Sequence, residues 1–226
     1  MATSGSTDWS LTSRQVITEA FEAIGVIDIG GVPAAEDAAK ALSIFNQQIK
    51  TWGIEGRLWI KTEGSVTLVA ATASYSVPLA RRILSVRRRT SAVDTPLIEL
   101  SRQEYFDYPS KAAPGMPFQF YFDPQRATHT LYVINVPDAA VAASTTLPYT
   151  YLRVIEDADT LDNDPDFPQE WMETLIYGLA ARLIVPYRVQ ITNPALSQEV
   201  KERAAALYAM LSADDDESTS VFFQPA

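Results

Sequence analysis

The spacing of apolar residues changes twice along the chain, and this limits the folds open to it. Apolar residues recur at helical spacing over residues 12–52, alternate with polar residues over 58–155, and return to helical spacing from Pro168. A helix pair at each end cannot enclose a core alone. We therefore expect an α+β fold: a four-helix bundle formed by the N- and C-terminal helix pairs, with an inserted antiparallel β-sandwich or barrel-like lobe.

These segments define the predicted domains. Residues 11–57 and 165–213 form a discontinuous helical domain, and residues 58–157 form the inserted antiparallel β domain. Residues 214–226 have no periodicity and begin with four acidic side chains, so we predict an extended C-terminal docking segment. Thr12, followed three residues later by a glutamine, predicts a capping box at the start of the first helix.

Turn signals within the β segment predict which strands pair. Residues 65–70 and 74–78 flank a short small-residue stretch and predict a hairpin. Residues 82–90 and 95–100 predict a second pair, followed by a helical turn at residues 101–109. The three phenylalanines of the sequence FQFYF alternate and are most simply core residues.

An arginine cluster stands out against the acidic composition. Alternation places Leu84 and Val86 inward, with Arg87 and Arg89 on the solvent face and Arg88 on the inward side. One interpretation is a contact between these three arginines and a neighbouring protein chain, since arginine is enriched at interfaces. The alternative is an edge strand protected by charge.

The acidic stretch 162–173, DNDPDFPQEWME, has acids at positions one, three, five and twelve of a calcium-loop pattern. A calcium loop needs glycine at the sixth position, which is Phe167 here, and Pro165 and Pro168 stiffen the backbone. A helix start accounts for the same residues, with Phe167 packing against Trp171 or Met172. We therefore predict no metal site.

Composition excludes several chemistries. With no cysteine and one histidine, neither a disulfide framework, nor a thiol nucleophile, nor a multi-histidine metal site is possible. A net charge of −10 disfavours a general nucleic-acid binder. No stretch resembles a secretory signal or a membrane span, so we expect synthesis in a reducing cytoplasm. No catalytic or cofactor-binding residue is predicted, and we expect no enzyme.

The helical segments are similar to a known family. LTSRQVITEAFEAIGV, AAEDAAKALSIFNQQIKTWGIEGRLWI and FPQEWMETLIYGLAARLIVPY, with the β segment between them, resemble the head-to-tail adaptor (connector) proteins of tailed phages. The resemblance is to the packaged-DNA stabilisation and tail tubular types. It covers roughly residues 11–213 and consists of helix spacing without a chemical motif.

The resemblance implies a ring of copies, expected to be a dodecamer, beneath the portal at the genome exit vertex of the virion. The implied partners are the portal protein, copies of the chain itself, a downstream tail or nozzle protein, and DNA that passes without sequence-specific binding. The contact considered above for Arg87, Arg88 and Arg89 would then be with a neighbouring subunit or the tail protein. The ring would help to retain packaged DNA and conduct its ejection, after assembly in the host cytoplasm. No cofactor and no membrane are implied.

In this family the C-terminal segment reaches the portal, and by position that role falls to residues 214–226. Its predicted anchors are Val221, Phe222, Phe223 and Gln224, because adjacent aromatic residues in an acidic segment suit a partner's groove. The alternative is that this segment folds back on its own subunit.

Two other function classes stay open from the sequence. A pair of carboxylates could serve a tail-associated peptidoglycan hydrolase, although no spacing singles out a pair. A β-sandwich could be a carbohydrate-binding module. The acidity of the chain suits a lumen through which DNA slides, and it equally suits a soluble monomer before assembly.

Overall fold

The structure is a computed structural model that describes residues 5–55, 58–126 and 128–215. Contacts divide the chain into two compact units. The helical unit combines residues 1–59 with 155–226, and the β unit is residues 60–154. That either unit folds independently as a domain stays a prediction.

In the described part of the chain the α-helices are α1 (Ser13–Ala23), α2 (Ala35–Trp52), α3 (Arg102–Asp107), α4 (Ala139–Ser144), α5 (Met172–Leu183), α6 (Val189–Thr192) and α7 (Pro194–Asp214). The strands are β1 (Lys61–Thr67), β2 (Ser74–Ser76), β3 (Ala80–Thr90), β4 (Val93–Pro96), β5 (Ile98–Glu99), β6 (Gln119–Pro124), β7 (His129–Ile134) and β8 (Thr145–Arg153). The fold is therefore a mixed α+β fold, as predicted at that level.

The capping box at the start of α1 is confirmed. The Gln15 backbone N–H donates to the Thr12 hydroxyl, and the Thr12 N–H donates to the Gln15 side chain at 2.8 Å. Both interactions satisfy N–H groups that have no partner within the helix. The start of α1 was therefore readable from four residues of sequence.

A distant loop completes the N-terminus of α1. The backbone N–H groups of Ser13 and Arg14 donate to the carbonyls of Asn163 and Leu161, at 2.9 and 2.8 Å. The Arg14 guanidinium also donates to the Asp162 carboxylate at 2.8 Å. The loop before α5 thus supplies acceptors to the first turn of α1, which ties the two ends of the helical unit together.

Helix α5 is the shared partner of the helical unit. It contacts α1, α2 and α7, and its apolar face is fully buried. The helical spacing predicted from Pro168 onward is confirmed here, because the apolar residues that recur every four positions are all buried, namely Trp171, Leu175, Leu179 and Leu183. The C-terminal half of α7 is different, because its apolar residues Leu207 and Leu211 are only half-buried.

Helices α2 and α5 approach each other at a glycine. A Cβ on Gly178 would lie 2.5 Å from the Gln48 Nε2 and 2.7 Å from the Trp52 ring. Trp52 also packs against Tyr208 of α7 and Trp171, with ring centroids 4.9 and 6.0 Å away. The missing side chain at Gly178 is therefore what allows this packing.

The β unit contains two four-stranded sheets with strand orders β1-β8-β3-β4 and β2-β7-β6-β5. The first sheet is antiparallel, whereas β5 pairs with β6 in parallel. One buried cluster contains side chains from both sheets, including Val66, Val86, Phe120 and Leu131. The core of this unit is therefore shared between the sheets.

The predicted hairpin of residues 65–70 and 74–78 is wrong. Strand β1 pairs with β8, and β2 pairs with β7 in the other sheet. Ala71 has a left-handed backbone (φ 60°), and its N–H donates to the Pro137 carbonyl at 2.9 Å. The intervening residues therefore carry the chain from one sheet to the other, because each strand finds its partner far along the sequence.

The second predicted strand pair, residues 82–90 with 95–100, is only partly correct. β4 pairs antiparallel with β3, but β5 belongs to the second sheet, where it pairs with β6. Leu84, predicted to face inward, is 39% exposed, while Ile83 and Val86 are buried. Register irregularities on β3 lie between Ala80 and Arg82 and between Ile83 and Ser85. An irregularity of this kind shifts the alternation by one residue, so the predicted inward side was wrong here.

The glycine contact between α2 and α5 is testable by Gly178→Ala. Alanine favours a helix over glycine by about 1 kcal/mol, whereas overpacking costs about 1–3 kcal/mol. We expect a net loss of unfolding free energy, because Gln48 is fully buried and cannot easily move. Denaturant unfolding measures it.

The double variant with Gln48→Ala is the matched control for this substitution. Removing the amide relieves one of the two close contacts, so the double variant should lose less stability than the two single losses added together. A Gly178→Ala protein that is more stable than wild type would contradict the close approach.

Candidate functional site

The arginine cluster lies within a sheet. β3, which carries Arg87, Arg88 and Arg89, is flanked by β8 and β4. The edge-strand interpretation of this cluster is therefore wrong. Strands β1 and β4 are the edges of this sheet, and the three arginines lie on an interior strand.

Each of the three arginines has a partner in its own chain. Arg87 pairs with Glu63 at 3.1 Å, and Arg89 pairs with Asp94 through two contacts of 2.6 and 2.7 Å. The hydrogen bond from Arg89 lowers the pKa of the Asp94 carboxyl. Arg88 donates to the Pro117 carbonyl at 3.2 Å and has no carboxylate partner among the described residues. A role of these arginines at a subunit or tail interface stays a prediction.

The predicted docking anchors Val221, Phe222, Phe223 and Gln224 lie outside the described residues. The last described helix, α7, ends at Asp214. Their docking role stays a prediction.

The carboxylates of the acidic loop before α5 contact other parts of the same chain. The Asp162 carboxylate pairs with Arg14, and the Asp166 carboxylate accepts the Glu156 N–H at 3.1 Å. Phe167 packs against Trp171 with ring centroids 6.1 Å apart, as the helix-start interpretation predicted. Within residues 5–55, 58–126 and 128–215, no cluster of three or more acidic or histidine side chains could hold a metal ion.

Charge is divided unevenly between the two units. The β unit has ten lysines and arginines against seven acids, for a net charge of +3. The helical unit has eight against 21, for a net charge of −13. The net negative charge of the chain therefore comes entirely from the helical unit. No described helix is long and apolar enough to cross a membrane.

The loop between α1 and α2 exposes two large aliphatic side chains. Ile29 is 95% exposed and Val32 is 85% exposed. The loop is held by its own hydrogen bonds, since the Gly30 N–H donates to the Glu22 carboxylate at 2.7 Å and the Gly31 N–H donates to the Asp28 carbonyl at 2.8 Å. We call this feature the Ile29 loop.

A groove between α1 and α5 adjoins the Ile29 loop. Its lining includes Ile29, Ile176 and Tyr177, together with three acids: Glu19, Glu22 and Glu173. Partial burial, with a smaller effect of the Glu22 charge, raises the pKa of Glu19. Arg203 of α7 pairs with Glu173 at 2.5 Å. The lining of this groove therefore combines apolar side chains with the three acids, which we call its acidic rim.

Sequence reasoning missed the Ile29 loop. The signal was present in VIDIGGVP, where aliphatic residues stand among glycines and a proline outside any helical stripe. Helix α4 was also missed, although Asp138 caps it by accepting the Val141 N–H at 2.8 Å.

A family model described as SU10 adaptor protein matches residues 15–222. The chain belongs to the SU10 adaptor protein family. The match spans both helical segments and the β unit between them, so it assigns almost the whole chain to one family. It supports a structural head-to-tail connector role in a bacteriophage, which confirms the sequence resemblance at that level. The packaged-DNA stabilisation type stays a prediction.

Among solved structures, this SU10-family adaptor is similar to a chain in the neck of an empty GTA particle computed with C6 symmetry. The identity is 13%, the TM-score is 0.28, and the alignment covers 77% of this chain and 82% of that chain. At this TM-score the likeness carries no argument about the adaptor. A comparison with curated proteins gave no significant match.

Calcium should not stabilise this adaptor. The acids that would begin a calcium loop already accept hydrogen bonds from Arg14 and from the Glu156 backbone. A bound ligand at about 100 times its dissociation constant would add about 2.7 kcal/mol. We therefore expect the same melting temperature with calcium and with a chelator. A calcium-dependent rise of several degrees that Asp164→Asn abolishes would contradict this interpretation of the loop.

Proposed function

We propose that the protein is a structural head-to-tail adaptor that forms a ring beneath the portal of a tailed bacteriophage. The ring connects portal to tail and retains and conducts packaged DNA. The family match over residues 15–222 carries this proposal. It also favours a structural role over the alternatives of a peptidoglycan hydrolase and a carbohydrate-binding module.

We also propose the two-part architecture that the sequence predicted, a four-helix bundle and a β-sandwich. Helices α1, α2, α5 and α7 form a four-helix bundle, supported by the contacts of α5 with the other three. The two sheets of the β unit form a sandwich, supported by the buried cluster that they share. Two compact units with buried cores suit a connector, because a connector must keep its shape while other proteins bind it.

The partners follow from the role. They are the portal protein, further copies of this chain, a downstream tail or nozzle protein, and DNA within the lumen. A net charge of −10 supports passage of DNA without tight phosphate binding, because counterion release needs cationic side chains. The place of action is the head–tail junction of the virion, reached after assembly in the host cytoplasm.

The proposed portal contact is the C-terminal segment. Four acids occupy positions 214–217, beginning with the last residue of α7, and like charges in a row favour an extended chain beyond it. Such a spacer would present Phe222 and Phe223 to a groove on the portal. A second proposed contact uses Arg87, Arg88 and Arg89 toward an acidic neighbour, with Arg88 best suited because no carboxylate of the described residues pairs with it.

Sedimentation with the cognate portal protein tests the proposal. We expect the isolated chain to be a monomer or small oligomer, and to form rings when portal is added. The double change Phe222→Ala and Phe223→Ala should leave the melting temperature unchanged. It should weaken portal binding by at least about thirtyfold, since hot-spot aromatics contribute about 2 kcal/mol or more.

The matched control is the double change Ser218→Ala and Ser220→Ala in the same segment, which should bind portal normally. Wild-type protein that forms no complex with portal would contradict the adaptor role. Wild-type affinity of the phenylalanine variant would contradict only the docking role. Unfolding of that variant alone would instead support the alternative in which the segment folds back on its own subunit.

A further inference from the structure

The Ile29 loop is a preformed apolar projection. Gly25 and Gly30 adopt left-handed backbone conformations, with φ of 67° and 81°, and the hydrogen bonds of the loop fix it at both glycines. The hydrogen bonds of the loop itself therefore define the position from which Ile29 and Val32 project. Binding through a segment that its own chain already orders has a lower ordering cost.

The surroundings of the projection specify the charge of its partner. Glu19, Glu22 and Glu173 line the adjoining groove, and Arg203 offsets the charge of Glu173 through their ion pair. The whole helical unit has a net charge of −13. A partner surface must therefore be apolar at its centre and not acidic, since like charges facing each other across an interface are unfavourable.

The β unit of a second copy meets both requirements. Its net charge is +3, so it is the only one of the two units that would attract the helical unit. It also exposes apolar side chains where β5, the edge strand of its sheet, lies beside residues 116–118. Ile98 is 64% exposed, and Met116 and Phe118 are each more than one third exposed, so the expectation that Phe118 is a core residue was wrong. We call this patch the β5 edge.

Contacts within the chain hold the β5 edge together and place a cation in it. The Ile98 N–H donates to the Phe118 carbonyl at 3.2 Å, and the Asn135 side chain donates to the Met116 carbonyl at 3.4 Å. Arg88 reaches the same segment through the Pro117 carbonyl. The carboxylate of Glu99 lies on the opposite side of β5 from Ile98, because successive side chains of a strand point to opposite faces. The patch thus combines apolar side chains with a cation that has no carboxylate partner among the described residues.

We propose that the Ile29 loop and its acidic rim bind the β5 edge of the next copy of the chain. The inference rests on the proposed function, because it names the contact that would close the adaptor ring. The two patches differ, so the contact is head-to-tail, and repetition of a head-to-tail contact closes into a ring when the rotation fits.

Cysteine cross-linking tests the contact directly, because the chain has no native cysteine. Ile29→Cys and Phe118→Cys proteins are mixed, assembled on portal and treated with a short bis-maleimide. We expect a covalent dimer only in the mixture and only with portal. The control pairs Phe118→Cys with Val185→Cys, a residue of the helical unit that is 64% exposed like Ile98. That pair should not cross-link.

A charge test complements the cross-link. Glu19→Lys should impair assembly on portal, Arg88→Glu should do the same, and the two variants mixed or combined should recover part of it. Ile29→Asp should raise the protein concentration needed for assembly by about thirtyfold. Its melting temperature should not change, because the side chain is almost fully exposed.

The outcomes separate this contact from the adaptor role itself. A ring on portal without the cross-link between positions 29 and 118 would overturn the contact and leave the adaptor role standing. A cross-link between two Ile29→Cys copies would overturn it in favour of a symmetric contact. If the cross-link forms in a variant that lacks residues 216–226 but not in the full chain, the chain's own C-terminal segment covers one of the patches. That result would also overturn the proposed contact. Failure of wild-type protein to assemble on portal would overturn both.

Discussion

The burial of α5 is the interaction on which the helical unit depends. Its partners α1 and α2 come from the opposite end of the chain, and the bond from the Gln48 side chain to the Leu175 carbonyl joins residues 127 positions apart. Helices α1 and α2 contact each other as well as α5, so the buried face of α5 joins the first helical segment to the last. The helical unit is therefore built from both ends of the chain, and the residues of the β unit lie between them in sequence.

This closure explains where the surface features lie. The carbonyls of residues 161–163 satisfy the first turn of α1, so the acidic loop that resembled a calcium site is a structural connection. With the apolar faces of α1, α2 and α5 used internally, the large aliphatic residues still exposed in the first half of the unit are concentrated in loops, above all in the Ile29 loop. An adaptor needs such surfaces, because its function is to hold other proteins in place.

Local signals predicted the helices well and the strand pairing poorly. The capping box at Thr12, the stripe from Trp171 to Leu183 and the helical turn at Arg102–Asp107 depend on residues within one or two turns, and all are confirmed. The hairpin between β1 and β2 was wrong, because the partners of those strands lie far along the chain. The pairing register of β3 is irregular near Leu84, so this side chain faces outward and not inward. The alternation of apolar and polar residues alone could not reveal that irregularity. Ile29 was missed because no periodic pattern contains it, so only the folded loop shows that it projects.

A cryo-electron microscopy reconstruction of the head–tail vertex would show whether this chain forms the connecting ring. We expect a closed ring of this chain between portal and tail, with the C-terminal segment against the portal and the helical unit of each copy facing the β unit of the next. A vertex in which the portal contacts the tail directly, with this chain absent or bound elsewhere on the particle, would contradict this expectation.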